Sequence, residues 1–379
     1  MKILIAPDSF KGSLTALAAA QALAEGVRRV LPDSELCLFP MADGGEGTLE
    51  CLLAERTGER RLLQVTGADG NPLLAEYGVV MIEGEAVAVI ETARVVGLTL
   101  PGMVDCSVTQ RNTLGVGEML RHCLDAGIRR FMIGLGGSAT NDGGAGMLAA
   151  LGARFLDDHA NFLSPTPVGL PRLARVDFSG LDPRLAHAEI VALSDVDNPL
   201  CGQEGATAVY GVQKGVAAAQ VAEIDATLFR MAALCDAWCG KAVSVLPGSG
   251  AAGGLGYALQ LVGAKCQSGA EAMLDLYRFD AALKDSDWVI TGEGSSDAQT
   301  LHGKAPCAVA YRARKAGIPA TLISGQVDQG AATALRGLFG SCFSIVQEGI
   351  DVQRAMRYAA HLLAECAEQA ALLRVQLTP

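Results

Sequence analysis

Three segments of the chain set acidic residues among glycines directly after short apolar runs. They are Met41-Ala-Asp-Gly-Gly-Glu-Gly47, Gly134-Leu-Gly-Gly-Ser-Ala-Thr-Asn-Asp-Gly-Gly144 and Thr291-Gly-Glu-Gly-Ser-Ser-Asp297. Each precedes a stretch that reads as a helix. An apolar strand, a glycine loop and a helix, recurring along a chain, constrain it to a parallel sheet covered by helices. Glycine lets the backbone approach a ligand closely and adopt φ > 0. A carboxylate beside such a loop can hold a magnesium ion or take a proton. The pattern predicts phosphate and metal chemistry.

The first residues carry this rhythm. Residues 2–6 predict a strand, Asp8-Ser-Phe-Lys-Gly-Ser13 a loop, and Ser13 the cap of a helix with Ala16, Ala19, Ala20, Leu23, Val27, Val30 and Leu31 on one face. A second strand at 36–39 and a helix at 48–55 follow. The C-terminal part repeats it, with strands at 288–291, 320–323 and 342–346, a helix starting near Lys304 with Pro306 in its first turn, and a final helix capped by Asp351. Between them lie strand-like runs at 61–65, 74–80, 87–91, 130–133, 189–193 and 243–246, with helices at 117–125 and 221–239. The expected class is α/β. A Rossmann-like parallel-sheet lobe comes from both chain ends, 1–62 and 284–379. A mixed α/β lobe, 63–283, is inserted, with a cleft between the two.

At 379 residues the chain is long enough for two domains, and half of it is hydrophobic. A net charge of −11 argues against nucleic acid, whose binding needs Lys and Arg against phosphates. No run of 18 apolar residues offers a membrane span. The opening Met-Lys-Ile-Leu-Ile-Ala-Pro-Asp8 meets an acid too early for a signal peptide, so a cytoplasmic location is expected. The 11 cysteines contain no Cys-x-x-Cys, and even Cys235 and Cys239 read as structural thiols of a reducing compartment. Oligomeric state is not readable.

Ligands of open parallel sheets bind beyond the carboxyl ends of the strands. Asp8, Asp43 and Glu293 hold that position in the terminal lobe, and Gly136 and Asp195 hold it in the inserted one. The 134–146 loop adds Ser138, Thr140 and Asn141, with backbone donors opening onto a helix at 146–151, as an anion cradle. Gly248-Ser-Gly-Ala-Ala-Gly253 matches G-x-G-x-x-G, but its late position favours close helix packing or ATP phosphate contact over NAD. There is no Walker A loop, since Gly303-Lys304-Ala305 lacks the next Ser or Thr. Lys11, Lys214 and Lys304 sit in polar or glycine-flanked loops as point charges for phosphates. His302 reads as a packing or hydrogen-bonding group of its loop. No histidine has metal-ligand spacing, and no Gly-x-Ser-x-Gly elbow supports serine hydrolysis.

These segments together resemble the type-1 glycerate kinase family. The resemblance rests on Ala6-Pro-Asp-Ser-Phe-Lys-Gly-Ser-Leu14, Ala42-Asp-Gly-Gly-Glu-Gly-Thr48, the 134–146 loop, Ser194-Asp-Val-Asp-Asn-Pro-Leu200, Gln213-Lys-Gly215, Pro247-Gly-Ser-Gly-Ala-Ala-Gly-Gly-Leu-Gly256, Thr291-Gly-Glu-Gly294, Asp297 and His302-Gly-Lys304. It runs in order over nearly the whole chain. It implies phosphorylation of glycerate, (R)-glycerate to 2-phosphoglycerate, with ATP as co-substrate and Mg²⁺. The roles expected on that basis are Asp195 as general base with Asp43 second, Lys11 against the transferring phosphate or the glycerate carboxylate, and Asp43, Glu293 and Asp297 at the metal. Asp8, Ser9, Gly136, Gly137, Ser138, Asn141, Lys214, Gly250, Gly253 and Lys304 are the expected substrate and phosphate contacts. Ser295 stands where relatives commonly carry Arg, Asp197 where many carry Thr, and Arg94 in a segment that is usually small and apolar. The rival readings are a glycerate 3-kinase, a kinase of another small hydroxy acid, and a non-catalytic sensor of an anionic metabolite.

Overall fold

The apolar runs Lys2–Ile5 and Trp288–Thr291 lie side by side at the centre of a five-stranded, wholly parallel sheet. Its spatial order is Glu35–Leu38, Lys2–Ile5, Trp288–Thr291, Ala320–Ser324, Ser341–Ser344. Numbered along the chain this is 2-1-3-4-5, a doubly wound order whose switch point falls between the first and third strands. Ile3, Leu4, Ile5, Val289 and Ile290 are fully buried, because a parallel sheet covered on both faces leaves no polar alternation. The computed structural model describes residues 1–301, 303–346 and 351–377. The chain divides into two compact units, Met1–Asp43 with Ser268–Pro379, and Gly44–Gln267.

In the first unit, helix Ala16–Val30 packs on helix Ala359–Leu377. Gly26 lets them approach, since a Cβ there would stand 2.0 Å from the Ala364 carbonyl oxygen. The cap of the first helix is Thr15, whose hydroxyl accepts from Ala18 N, rather than Ser13. Phe10 and Leu14 close a turn before the helix begins, and Ser13 Oγ is spent on the Met356 carbonyl. The expected single C-terminal helix is two, Val352–Arg357 and Ala359–Leu377, broken at Tyr358. Asp351 stands at the first one's N-cap, and among the described residues its side chain makes no capping bond.

The second unit holds a six-stranded mixed sheet. Lys265–Gln267, Glu189–Leu193, Arg130–Gly134 and Glu85–Glu91 run parallel, and Pro72–Ile82 and Gly58–Thr66 extend the sheet antiparallel. Helix Thr48–Glu55 belongs here: Leu49 N donates to Glu91 Oε1 at 2.9 Å, and Leu49 fills the space above Gly78. The chain therefore passes between units at 43/44 and 267/268, upstream of 62 and 284. Residues 243–246, expected as a strand, form a 3-10 turn. The Asp236 carboxylate accepts from Val243 N, Ser244 N and Ser244 Oγ, and these bonds, seven and eight residues apart along the chain, hold the backbone out of extension.

All eleven cysteines are free thiols. Burial pushes the Cys235 thiol up to about 12, which leaves it unreactive. Among the described residues no helix is long and apolar enough to cross a membrane.

Candidate active site

In the first unit the strand Trp288–Thr291 runs out into Gly292, and Asp8 N donates to the Gly292 carbonyl at 2.8 Å. A Cβ on Gly292 would stand 1.8 Å from the Ile323 carbonyl oxygen, and one on Gly325 would stand 2.2 Å from that of Gly294. Glycine is required at both, and this close passage seats the next residue, Glu293. The Glu293 side chain is buried. Its Oε1 accepts from Ser296 Oγ at 3.0 Å and Thr300 Oγ1 at 2.7 Å. Ser296 Oγ is in turn bonded to Ser324 Oγ at 2.7 Å. The second oxygen faces Lys304 Nζ at 3.5 Å. Lys304 Nζ is 3.9 Å from Asp297 Oδ1, which also accepts from Thr300 N and so shapes the turn Ala298–Leu301.

Asp8 and Asp43 complete the acidic group. Lys11 Nζ reaches Asp43 Oδ2 at 3.6 Å from an otherwise exposed position. Asp8 is buried and accepts from Ser9 N at 2.6 Å. Burial, then the nearby Asp43 charge, pushes its carboxyl up to about 8 against the opposing Ser9 N–H and Lys11. Asp8, Ser9, Lys11, Asp43, Glu293, Ser295 and Lys304 line one cavity of about 350 Å³. Asp297 lines a neighbouring one of about 740 Å³ with Ser295 and Arg336. Among the described residues, no three His, Cys, Asp or Glu side chains stand close enough to form a ready metal cluster. The carboxylate oxygens at the switch point nonetheless fit magnesium, a hard cation that takes few protein carboxylates and keeps waters and phosphate oxygens.

The second unit's loop is built differently. Helix Ala145–Ala150 starts from Asp142, whose fully buried carboxylate accepts from Gly144 N, Gly146 N, Thr113 N and Thr113 Oγ1 at 2.8–3.0 Å. The expected anion cradle at this helix start is thus filled by the chain's own acid. Ser138 Oγ and the Thr140 carbonyl accept from Lys214 Nζ at 3.0 and 2.9 Å. Asn141 Nδ2 donates to Thr207 Oγ1. Among the described residues, the buried Thr140 Oγ1 and Asn141 Oδ1 have no hydrogen-bond partner. Lys214 is only 5% exposed, and burial pulls its ammonium down to about 7, with Asp142 opposing and Arg111 adding. The buried Arg111 guanidinium donates to the carbonyls of Met103, Cys106, Ala139 and Lys214 and ties this loop to its neighbours. No sequence motif marks Arg111. Ser296 lies within the 291–297 segment but is not among its expected site residues, and Thr300 lies beyond it; their spacing from Glu293 is a usable signal.

The remaining candidates have mixed surroundings. A Cβ on Gly253 would stand 2.0 Å from the Thr140 carbonyl oxygen, one on Gly250 2.4 Å from that of Pro199, and one on Gly136 2.7 Å from Gly45 Cα. In the G-x-G-x-x-G stretch the glycines serve close backbone packing. Gly137 is exposed with φ +74°. Asp195 is half-buried just beyond strand Glu189–Leu193. Arg94 Nε pairs with the buried Glu91 at 3.2 Å. His302 lies outside the described residues.

A family model described as the glycerate kinase family matches residues 3–374. The chain belongs to the glycerate kinase family. It is similar to the glycerate kinase of Halalkalibacterium halodurans, with 41% identity over 98% of this chain and 97% of that one. It is similar also to the glycerate 2-kinase of Escherichia coli, with 39% identity over 95% and 94%. The crystal structure of putative glycerate kinase 2 from Salmonella typhimurium matches with a TM-score of 0.85 and 40% identity, covering 99% of this chain and 98% of that one. This family member is accordingly a kinase, and the α/β architecture is the one its sequence pattern predicts.

Proposed function

We propose that this kinase transfers the γ-phosphoryl group of ATP to the 2-hydroxyl of (R)-glycerate, with Mg²⁺, giving 2-phosphoglycerate. The observation that carries the reading is the meeting of Asp8, Asp43 and Glu293 with Lys11 and Lys304 in one cavity at the switch point of a parallel sheet. Phosphoryl transfer asks for positioning and charge neutralisation more than covalent chemistry, and this group offers both. Asp43 and Glu293 would hold magnesium, directly or through water, and the ion when bound would neutralise charge on the phosphate oxygens. Ser296 and Thr300 fix the Glu293 carboxylate, so its orientation need not be set during the reaction. Lys11 and Lys304 meet phosphate oxygens as point charges, and Ser9 offers a hydroxyl. Asp297 supports the loop by shaping its turn.

Asp195 is the proposed acceptor of the substrate proton, with Asp43 the alternative. Ser138, Asn141 and Lys214 are proposed to hold the form of the second unit's loop, with Gly137 the exposed point of approach. The choice of the 2-hydroxyl is supported by the name of the Escherichia coli relative, glycerate 2-kinase.

The test is incubation with Mg-ATP and (R)-glycerate, with phosphorus NMR of the product. Glycerate-dependent ADP release and a 2-phosphate resonance are expected. No such release overturns the reading, while a 3-phosphate overturns the position alone. Asp195→Asn is expected to lose turnover far more than ATP affinity, and turnover near wild type would remove Asp195 as base.

A further inference from the structure

The cavity at the switch point has two faces of opposite chemistry. One carries the carboxylates and lysines already described. The other is apolar and consists of Phe10, Ile345, Val346, Val352, Ala355 and Met356. Phe10 and Ile345 are buried, but Val352 and Met356 are 48% and 40% exposed. These two stand four residues apart on helix Val352–Arg357, which puts them on one side of it. Ser13 Oγ donates to the Met356 carbonyl at 2.9 Å, fastening the helix to the loop that carries Asp8 and Lys11. An apolar wall open to water beside a charged site is a place for a ligand with an apolar part.

Glycerate has no such part. It is three carbons bearing a carboxylate and two hydroxyls. The triphosphate has none either. The planar purine is the one component of the proposed reaction that gains by leaving water for this wall. We propose that the adenine base of ATP packs against Val352, Met356 and Phe10, with its phosphates directed to Lys11 and Lys304. This rests on the kinase reading above. Gln326, which lines the same cavity, puts an amide within it for the polar edge of the base.

The experiment compares ATP with inorganic tripolyphosphate, which shares the charged part and lacks the base. Both are titrated calorimetrically with Mg²⁺ into the wild type, Val352→Asn and Met356→Gln, each with its fold checked by circular dichroism. Both substitutions are neutral, so neither repels phosphate. The expected result is an ATP dissociation constant raised about tenfold in each variant, with the tripolyphosphate constant unmoved. Equal shifts for both ligands, or no shift for ATP in either variant, would overturn the proposal. A wild type that binds ATP no more tightly than tripolyphosphate overturns it as well. A wild type with glycerate-dependent ADP release but unshifted variants loses the base site and keeps the kinase reading. A wild type that binds neither ligand sinks both.

Discussion

Replacing Lys214 by Met changes how the stability of this kinase depends on pH, and the direction comes from burial. The Lys214 ammonium is fully enclosed, and its pKa falls from 10.5 to about 7. In the unfolded chain it regains its ordinary value. Between about pH 7 and 10.5 the unfolded state therefore holds a proton that the folded state lacks. Stability then rises with pH through that window, by at most about 1.4 kcal/mol per pH unit. From pH 6 to 9 the group alone contributes roughly 2.7 kcal/mol of increase. Methionine has a similar length and no charge. It forfeits the bonds to Ser138 Oγ and the Thr140 carbonyl, a loss of roughly 1–3 kcal/mol that does not vary with pH. The variant thus starts with an offset and lacks the slope. Urea unfolding of both proteins at pH 6, 7.5 and 9, followed by circular dichroism, measures the difference, in which the other titrating groups cancel. The gap in stability, wild type minus variant, is expected to grow by roughly 2.7 kcal/mol across the series. A gap that stays constant would refute the argument. It would mean that Lys214 keeps its proton in the fold, with Asp142, the Ser138 hydroxyl and the Thr140 carbonyl outweighing desolvation.

Two further outcomes are expected from the first unit. Gly292→Ala drives a Cβ to 1.8 Å from the Ile323 carbonyl oxygen, and a lowered thermal midpoint with at least about 3 kcal/mol lost is expected; an unshifted midpoint would show that the strands can part there. Thr300→Val removes the 2.7 Å bond to Glu293 Oε1, and a fall in kcat of about tenfold, restored by Thr300→Ser, is expected in steady-state assays; unchanged kcat would leave Ser296 as sufficient anchor.

Much of the architecture is legible because parallel strands are buried on both faces and so read as unbroken apolar runs. Trp288–Thr291 and Glu189–Leu193 carry the bounds expected of them. The failures share a cause: a side chain that takes a backbone partner from outside the local pattern. Asp236 holds 243–246 in a turn although Val-Ser-Val-Leu alternates like a strand. Ser13 has the composition of a cap and serves Met356 instead, so the cap falls to Thr15. Helix Thr48–Glu55 continues the first unit's rhythm in sequence but rests on strands of the second, because Leu49 finds Gly78 there. None of these partners lies close enough along the chain for periodicity to register it.

The glycine-flanked acids show where pattern stops and geometry must decide. Asp142 and Glu293 stand in loops of the same design, and both are buried. Asp142 receives two N–H groups from its own loop and an N–H and a hydroxyl from Thr113. Three of these donors converge on Oδ2 and one on Oδ1, and the carboxylate is wholly buried, so Asp142 presents no oxygen to a ligand. Its position at a helix start makes it a cap, and it closes the anion site that the glycines of its loop suggest. Glu293 receives two hydroxyls on one oxygen only, and its other oxygen faces Lys304 at 3.5 Å, beyond a normal hydrogen bond, at the edge of a cavity. It retains acceptor capacity where a cation and phosphates can reach it. The difference arises from the residues next in the chain after each acid. After Asp142 come two glycines and the helix, whose free N–H groups curl back onto the carboxylate. After Glu293 come Gly294 and the short strand Ser295–Ser296, which pairs with Gln326 and Val327. Of these two acids, the one whose loop folds back onto it is closed to a ligand, and the one whose chain runs on as a strand keeps an oxygen open to the cavity.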